Sequence, residues 1–271
     1  MRLFDTHCHF DRAVPSEIAA ILTRAKAAGV EKLMAVGGSP ALNESATLAA
    51  DVAAEALVVP KVCCAVGYDR EQAGKNLRRE TRDFGPGLSS SVSSLSLVAW
   101  GEIGLDYHYS PETREAQLKL FAEQLEEAKR RDLPVVIHTR EAADDTIALL
   151  REIPSRGIIH CFTGTTGEAK TYLDLGFFIS ISGIVTFKPA DNVREAALVI
   201  PDDRILIETD SPFLAPVPMR GNPNEPAFIR YTCEFIANLR GVSSEDFAEL
   251  TFANAERVLA EGKRRLAACE K

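Results

Sequence analysis

The chain has 271 residues, of which 46% are hydrophobic and 26% charged, a composition typical of folded globular proteins. It excludes fibrous and disordered classes, and no stretch approaches the roughly 18 apolar residues of a membrane-spanning helix. The formal net charge of −8 means that the average field repels nucleic acid and anionic lipid, so any phosphate partner must be captured locally.

The N-terminus and the cysteines predict a cytoplasmic protein. Asp5 interrupts the N-terminal segment before a secretory apolar run can form. The six cysteines have neither the density nor the spacing of a disulfide scaffold. We therefore expect reduced cysteines that serve packing, no membrane partner, and a monomer.

In chain order, short apolar runs alternate with amphipathic segments, a pattern typical of parallel strands joined by crossover helices. Eight strands are predicted, at residues 3–9, 30–36, 58–66, 97–103, 135–139, 157–162, 177–181 and 205–209. Helical patterns at 227–239 and 246–259 follow the last strand. We predict an α/β protein, a (β/α)₈ TIM barrel with C-terminal helices that forms a single domain over residues 1–271. No glycine-rich nucleotide-binding turn supports the alternative of a doubly wound sheet.

Two segments between strands have distinct local signals. Before the fifth strand, Ser110 is expected to cap a helix whose first turn contains Pro111 and Glu112. Residues 85–94 are rich in serine and glycine without a periodic apolar face, which predicts a surface loop rather than a domain linker.

Polar residues that can bind metal follow five of the predicted strands. In a TIM barrel the chemistry lies at these carboxyl ends. An isolated histidine is more often an ordinary core or surface residue, but four of the five histidines fall at such ends. A mixed nitrogen and oxygen set suits zinc, manganese, iron or cobalt. The candidate ligands are His7, His9, Glu102, His138, His160 and Asp210.

Six sequence blocks carry a resemblance to a known family. They are Phe4-Asp5-Thr6-His7-Cys8-His9-Phe10-Asp11, Gly101-Glu102-Ile103-Gly104-Leu105-Asp106-Tyr107, Pro134-Val135-Val136-Ile137-His138-Thr139-Arg140, His160-Cys161-Phe162-Thr163-Gly164, Glu208-Thr209-Asp210-Ser211-Pro212 and Asn224-Glu225-Pro226. With these blocks in this order, the chain resembles the TatD family of metal-dependent deoxyribonucleases, within the amidohydrolase-type barrels.

The resemblance implies a ligand assignment and an activity. His7, His9 and Asp210 would hold one divalent ion, His138 and His160 a second, and Glu102 would bridge the two. The ions would be Mg²⁺, Mn²⁺ or Zn²⁺. The substrate would be DNA, degraded from a 3′ end by a two-metal-activated water, with Asp210 orienting or deprotonating that water and Glu102 fixing the ion spacing.

The chain departs from the family after the third strand. Relatives usually carry a Gly-x-His-Pro-His turn there, whereas this chain reads Val66-Gly67-Tyr68-Asp69-Arg70. We therefore expect one substrate-facing contact to differ. The serine-rich stretch 85–96 is a second departure, since relatives commonly carry a charged helix before the fourth strand.

Four further residues are candidate substrate contacts, and three of them also have a structural interpretation. Arg140, at the rim, can clamp a phosphate or be an exposed arginine. His108 can contact substrate or belong to a plain loop. Asn224 and Glu225 follow a long proline-rich segment that suits a binding loop, whereas Asn224 can also cap the next helix.

Asp5 can orient a ligand imidazole or be a buried structural carboxylate.

Two other function classes remain open at this point. Related metal barrels hydrolyse small amides, lactones or phosphotriesters, and fold alone does not decide between these substrates. Many of them bridge their ions with a carboxylated lysine, whereas this chain has Glu102 at the matching strand, which favours the nuclease. A non-catalytic scaffold would require an incomplete ligand set, and all six candidates are present.

Overall fold

The computed structural model describes residues 1–11, 13–75 and 96–269, with side chains described through residue 260. The predicted loop at 85–94 lies outside the described residues. Eight parallel strands form one sheet in sequence order, and helices alternate with them. The predicted TIM barrel is therefore confirmed. The strands are β1 (Leu3–Cys8), β2 (Val30–Gly38), β3 (Lys61–Tyr68), β4 (Leu97–Asp106), β5 (Val135–Arg140), β6 (Gly157–Ile159), β7 (Phe178–Ile181) and β8 (Ile205–Ile207).

The helices pack outside the strands, and two of them follow the last strand as the sequence predicts. They are α1 (Pro15–Ala27), α2 (Pro40–Glu55), α3 (Arg114–Arg130), α4 (Ala143–Glu152), α5 (Thr166–Asp174), α6 (Asp191–Val199), α7 (Ile229–Arg240) and α8 (Ser244–Cys269). Within the described part of the chain, no helix is both long and apolar enough to cross a membrane. Among the cysteines whose side chains the structure describes, no two are joined by a disulfide.

A hydrophobic cluster closes the N-terminal end of the barrel. It combines side chains near the starts of several strands, such as Phe4, Val136 and Leu206, with residues of α8. The ring centroids of Phe4 and Phe252 of α8 lie 5.7 Å apart. The larger hydrophobic cluster joins the strands to the surrounding helices. Polar side chains are thereby left to the opposite, carboxyl end of the barrel.

The seam between the first and last strands brings two distant motifs together. The backbone N–H of Asp210 donates to the carbonyl of His7 at 2.9 Å, and the N–H of His9 donates to the carbonyl of Ser211 at 2.8 Å. Asp210 lies in the left-handed region with φ of 56°, which Asp tolerates better than most residues. These backbone bonds hold the aspartate beside the His-x-His motif.

The predicted cap of the helix before β5 is wrong. The Ser110 side chain makes no capping hydrogen bond, because Pro111–Thr113 form a 3₁₀ turn and α3 begins only at Arg114. The Ser110 carbonyl instead accepts hydrogen bonds from the Thr113 hydroxyl at 2.9 Å and from the Gln117 amide at 3.0 Å. The end of this helix at Arg130 agrees with the sequence.

Candidate metal centre

The first ligand cluster lies at the seam of the barrel. His7 Nε2 and His9 Nε2 approach to 3.1 Å. Asp210 Oδ1 lies 3.8 Å from His7 Nε2 and 3.5 Å from His9 Nε2. All three side chains are largely buried, with Asp210 the most exposed at 15%. Three potential ligand atoms from the two ends of the sheet therefore converge on one small volume.

The second cluster is formed by two neighbouring strand ends. His138 Nδ1, from β5, lies 3.3 Å from His160 Nε2, which directly follows β6. Glu102 Oε1 lies 3.3 Å from His138 Nδ1 and 3.4 Å from His160 Nε2. Like the first cluster, this one combines imidazole nitrogens with a carboxylate oxygen.

Glu102 joins the two clusters through its two oxygens. While Oε1 faces the second cluster, Oε2 lies 3.5 Å from His7 Nε2 and 3.7 Å from His9 Nε2. The rings of His7 and His160 stack with centroids 3.9 Å apart, which keeps the clusters adjacent. The structure thus brings together all six residues that the sequence singled out as candidate ligands.

The outer nitrogens of three histidines show which ring nitrogen carries the proton. His9 Nδ1 donates to the carbonyl of Val36 at 2.9 Å. His138 Nε2 lies 3.0 Å from Asp106 Oδ2, and His160 Nδ1 lies 3.3 Å from Glu208 Oε1. Carbonyl and carboxylate oxygens only accept, so each of these nitrogens is the donor, and the inward nitrogen offers a lone pair to a cation whenever the ring is neutral.

This arrangement of lone pairs fits divalent cations. His138 Nδ1 and His160 Nε2 lie 3.3 Å apart while carboxylates engage the other nitrogen of each ring, so when both rings are neutral their lone pairs face one point, where a cation relieves the repulsion. The donor set of imidazole and carboxylate matches transition metals and zinc, and the outer hydrogen bonds orient the rings as in known metal sites. The residues present therefore fit the metal ions that the sequence predicts.

The pKa values reflect the same stabilisation of positive charge. Burial lowers the pKa of His160, but the carboxylates of Glu102 and Glu208 outweigh burial and hold it well above its usual value. Burial raises the pKa of Glu102, yet the imidazoles of His160, His7 and His138 bring it well below its usual value. The Glu102 carboxylate between the two clusters is thus kept ionised.

Sequence reasoning missed two carboxylates that position the ligands. Asp106 contacts His138, and its other oxygen accepts the backbone N–H groups of His108 and Tyr109 at 2.9 and 3.0 Å. Glu208 contacts His160 and accepts the N–H of Cys161 at 2.7 Å. Both residues lie inside the sequence blocks that resemble the family, Asp106 four residues after Glu102 and Glu208 two residues before Asp210, so this spacing was the available signal.

Asp5 matches the second of its two sequence interpretations, a buried structural carboxylate. Its oxygens accept from the Thr209 N–H at 2.9 Å, the Thr209 hydroxyl at 2.6 Å and the His7 N–H at 3.3 Å. Burial raises its pKa to about 7. It therefore holds the backbone of β1 and the segment after β8 together rather than orienting an imidazole.

Arg70 was also missed, although the sequence departs from the family pattern at this point. It begins a 3₁₀ turn directly after β3. Its Nη1 lies 3.2 Å from Glu102 Oε1, and its Nε lies 3.5 Å from Asp106 Oδ2. An arginine thus contacts the carboxylate of Glu102 where relatives are expected to carry a histidine-containing turn.

Two of the predicted substrate contacts lie on the rim. Tyr109 is 67% exposed, and the guanidinium of Arg140 lies 4.7 Å from the centre of its ring. His108 Nδ1 contacts Glu141 Oε1 at 2.7 Å. Arg140 and His108 therefore belong to one surface group, which we call the rim group: His108, Tyr109, Arg140 and Glu141.

The other two predicted contacts are engaged in structural interactions. The buried Asn224 amide donates to the carbonyls of Thr209 at 2.9 Å and Phe213 at 2.6 Å, which fastens the proline-rich segment to the end of β8. Its Oδ1 accepts the N–H of Glu225, and no side-chain cap precedes the next turn. Glu225 forms an ion pair with Arg24 at 2.6 Å. Their role in substrate binding stays a prediction.

Comparison with known proteins identifies relatives over most of the chain. A family model described as TatD related DNase matches residues 4–260. An uncharacterised metal-dependent hydrolase, YcfH from Escherichia coli K12, is 37% identical over 265 residues, covering 95% of this chain and 96% of that protein. A 3′-5′ ssDNA/RNA exonuclease TatD from Rahnella is 37% identical over 179 residues, covering 63% of this chain and 68% of that protein.

A solved structure gives the same result. YjjV, a TatD homologue from Escherichia coli, matches with a TM-score of 0.82 and 28% sequence identity, covering 96% of this chain and 98% of that one. The resemblance stated from the sequence blocks is therefore confirmed.

Proposed function

The chain belongs to the TatD family of metal-dependent hydrolases, and from that premise we propose that it is a 3′–5′ exonuclease that hydrolyses the phosphodiester bonds of DNA. The observation that carries the proposal is that the two oxygens of Glu102 face two separate ligand clusters. A pair of cations sharing one carboxylate suits in-line displacement at phosphorus. A relative named as a 3′-5′ ssDNA/RNA exonuclease supports this choice of substrate.

In the proposed centre each residue has a definite task. His7, His9 and Asp210 would hold one cation and His138 and His160 the other, with Glu102 between the two clusters. Divalent cations there would lower the pKa of a water and neutralise charge that develops on phosphoryl oxygens.

Asp210 is the proposed proton acceptor. It keeps a partly exposed carboxylate beside His9, where it can accept a proton from the attacking water and pass it toward the leaving oxygen.

The rim group supports a single-stranded substrate. Base faces stack on exposed aromatic rings, and a neighbouring arginine contributes charge to the phosphate backbone. Tyr109 and Arg140 offer that combination beside the strand that carries His138. His108 belongs to the same surface, which suits contact with the nucleotide next to the cleaved bond.

Bulk charge does not oppose this proposal. The net charge of −8 belongs to the whole chain, whereas Arg70, Arg140 and the proposed cations lie at the carboxyl end of the barrel. Local positive charge can capture a strand end on an acidic protein, and association then depends on few phosphates.

The test uses metal-stripped protein to which Mg²⁺, Mn²⁺ or Zn²⁺ is restored separately. Single-stranded, double-stranded and 3′-phosphorothioate-blocked DNA are labelled at the 5′ end, and the products are followed with time. We expect metal-dependent shortening of single-stranded DNA in one-nucleotide steps and resistance of the blocked strand. RNA of the same sequence serves as a second substrate.

Two results would overturn the proposal. One is internal cleavage that the 3′ block does not slow. The other is the absence of cleavage by the fully metal-loaded protein together with rapid hydrolysis of a small ester, lactone or phosphotriester.

A further inference from the structure

Arg70 places a fixed positive charge at the edge of the second ligand cluster. Its side chain is 18% exposed, so it is neither a free surface arginine nor a fully enclosed one. Its Nη1 contacts Glu102 Oε1, the same oxygen that faces His138 and His160. An arginine and a metal ion at the second cluster would therefore share one carboxylate oxygen.

The backbone holds Arg70 in this position. Asp69 caps the short turn by accepting the N–H of Glu71 at 2.8 Å, and the N–H of Asp69 itself donates to the carbonyl of Gly38 at 2.8 Å. The turn therefore starts at a fixed point on β2 and β3. Only the long arginine side chain needs to move for the guanidinium to change partners.

The charges around Arg70 indicate which group its guanidinium would contact once metal is bound. A cation at the second cluster would compete with Arg70 for the negative charge of Glu102 and would repel the guanidinium, while the nearby carboxylate of Asp106 would still attract it. Arginine has five N–H donors in a planar fork, which matches two oxygens of one phosphate group. A phosphate group brought to the centre is therefore the anion that fits both the charge and the shape of this group.

We propose that Arg70 binds a phosphate oxygen of the substrate, and that it exchanges Glu102 for that phosphate when the centre is loaded. The proposal rests on the proposed function, since it takes a phosphodiester as substrate. A competing explanation is a positioning role, in which Arg70 neutralises Asp106 and so keeps His138 in place. The two roles predict different effects on metal binding.

The experiment compares the wild type with Arg70→Gln and Arg70→Lys, using Arg230→Gln as a control. Arg230 pairs with Glu234 on the exposed side of α7, so that variant loses the same charge elsewhere. Calorimetry first measures Mn²⁺ binding to each metal-stripped protein. It then measures the binding of thymidine 5′-monophosphate, and of thymidine, to the Mn²⁺-loaded proteins.

Arg70→Gln is expected to bind Mn²⁺ with the same stoichiometry and undiminished affinity. Its affinity for thymidine 5′-monophosphate should fall by about 10- to 100-fold, the range expected for losing a charge-assisted contact. Thymidine, which lacks the phosphate, should bind all variants alike. Arg70→Lys should lie between the wild type and Arg70→Gln, because it keeps the charge but loses the fork, and it decides the question if Arg70→Gln fails to fold.

Weaker Mn²⁺ binding with unchanged nucleotide affinity of the loaded protein would assign Arg70 a positioning role and overturn the proposal. Nucleotide affinity equal to the wild type in both variants would also overturn it. These titrations do not require DNA cleavage, so their outcome is separate from that of the nuclease test. Wild-type protein that cleaves DNA while Arg70→Gln binds nucleotide normally would contradict this inference alone.

Discussion

At the residue scale, Glu102 is the residue that contacts both histidine pairs of the centre. Its oxygens face two histidine pairs, and Arg70 approaches one of the same oxygens. The carboxylate is almost fully buried, so its charge requires compensation from imidazoles, arginine or bound cations. Removing that charge while keeping the volume separates its electrostatic role from its packing role.

Glu102→Gln should keep the fold and lose most activity, by at least on the order of 100-fold, because the amide no longer holds two cations at short range. Metal content and turnover are measured on the same preparation, with Glu112→Gln in the exposed turn before α3 as the control. Near-native turnover with unchanged metal content would show that the bridge is elsewhere.

Asp210→Asn tests the proposed proton acceptor. The amide keeps an oxygen that coordinates weakly but cannot accept the proton, so turnover should fall about 10²- to 10⁴-fold even at saturating metal. Asp203→Asn, an exposed change near β8, is the control. If saturating metal restores turnover, Asp210 acts by ligation alone, and if only the melting temperature falls, its role is structural.

The sequence indicated the six candidate ligands because each follows an apolar strand, and parallel strands end at the same edge of a barrel. It did not indicate Asp106, Glu208 or Arg70 as parts of the centre. Their contacts join residues from different strands, and such pairing depends on side-chain direction after the strand ends. Arg70 in particular belongs to no recognisable motif. The only signal at this position is that the Gly-x-His-Pro-His turn of the family is missing.

At the element scale, the number of strands could be predicted from the sequence, whereas the first or last residue of several strands could not. The third strand begins at Lys61 rather than at residue 58, because Val58 is 72% exposed and precedes Pro60. The strands β6 and β8 end earlier than predicted, at Ile159 and Ile207. Apolar patterns continue past the point where the backbone leaves the sheet to present ligands.

The helix α8 packs at the barrel end opposite the candidate ligands. Substitutions in its buried face should therefore affect stability without affecting catalysis. Phe252→Ala should lower the free energy of unfolding by about 3–5 kcal/mol, measured by urea denaturation, since it leaves a cavity against Phe4. Turnover per folded molecule should not change. The exposed Val242→Ala should change stability by less than about 0.5 kcal/mol. Loss of turnover in folded Phe252→Ala protein would contradict this division.

At the scale of the whole molecule, the fold separates apolar packing from the candidate metal ligands. Apolar contacts occupy the N-terminal end of the barrel, while five strands direct nitrogen and oxygen atoms to the other end. If the proposed cations bind there, a chain with a net charge of −8 presents a locally positive centre to a phosphate group. The family match covers residues 4–260, which include all five of these strand ends.

The most direct test of the account is an anomalous-difference map from crystals of the protein saturated with Mn²⁺. It should show two peaks, one among His7, His9 and Asp210 and the other between His138 and His160, with one oxygen of Glu102 next to each. A single peak at full saturation, or two peaks that Glu102 does not separate, would contradict the two-metal centre.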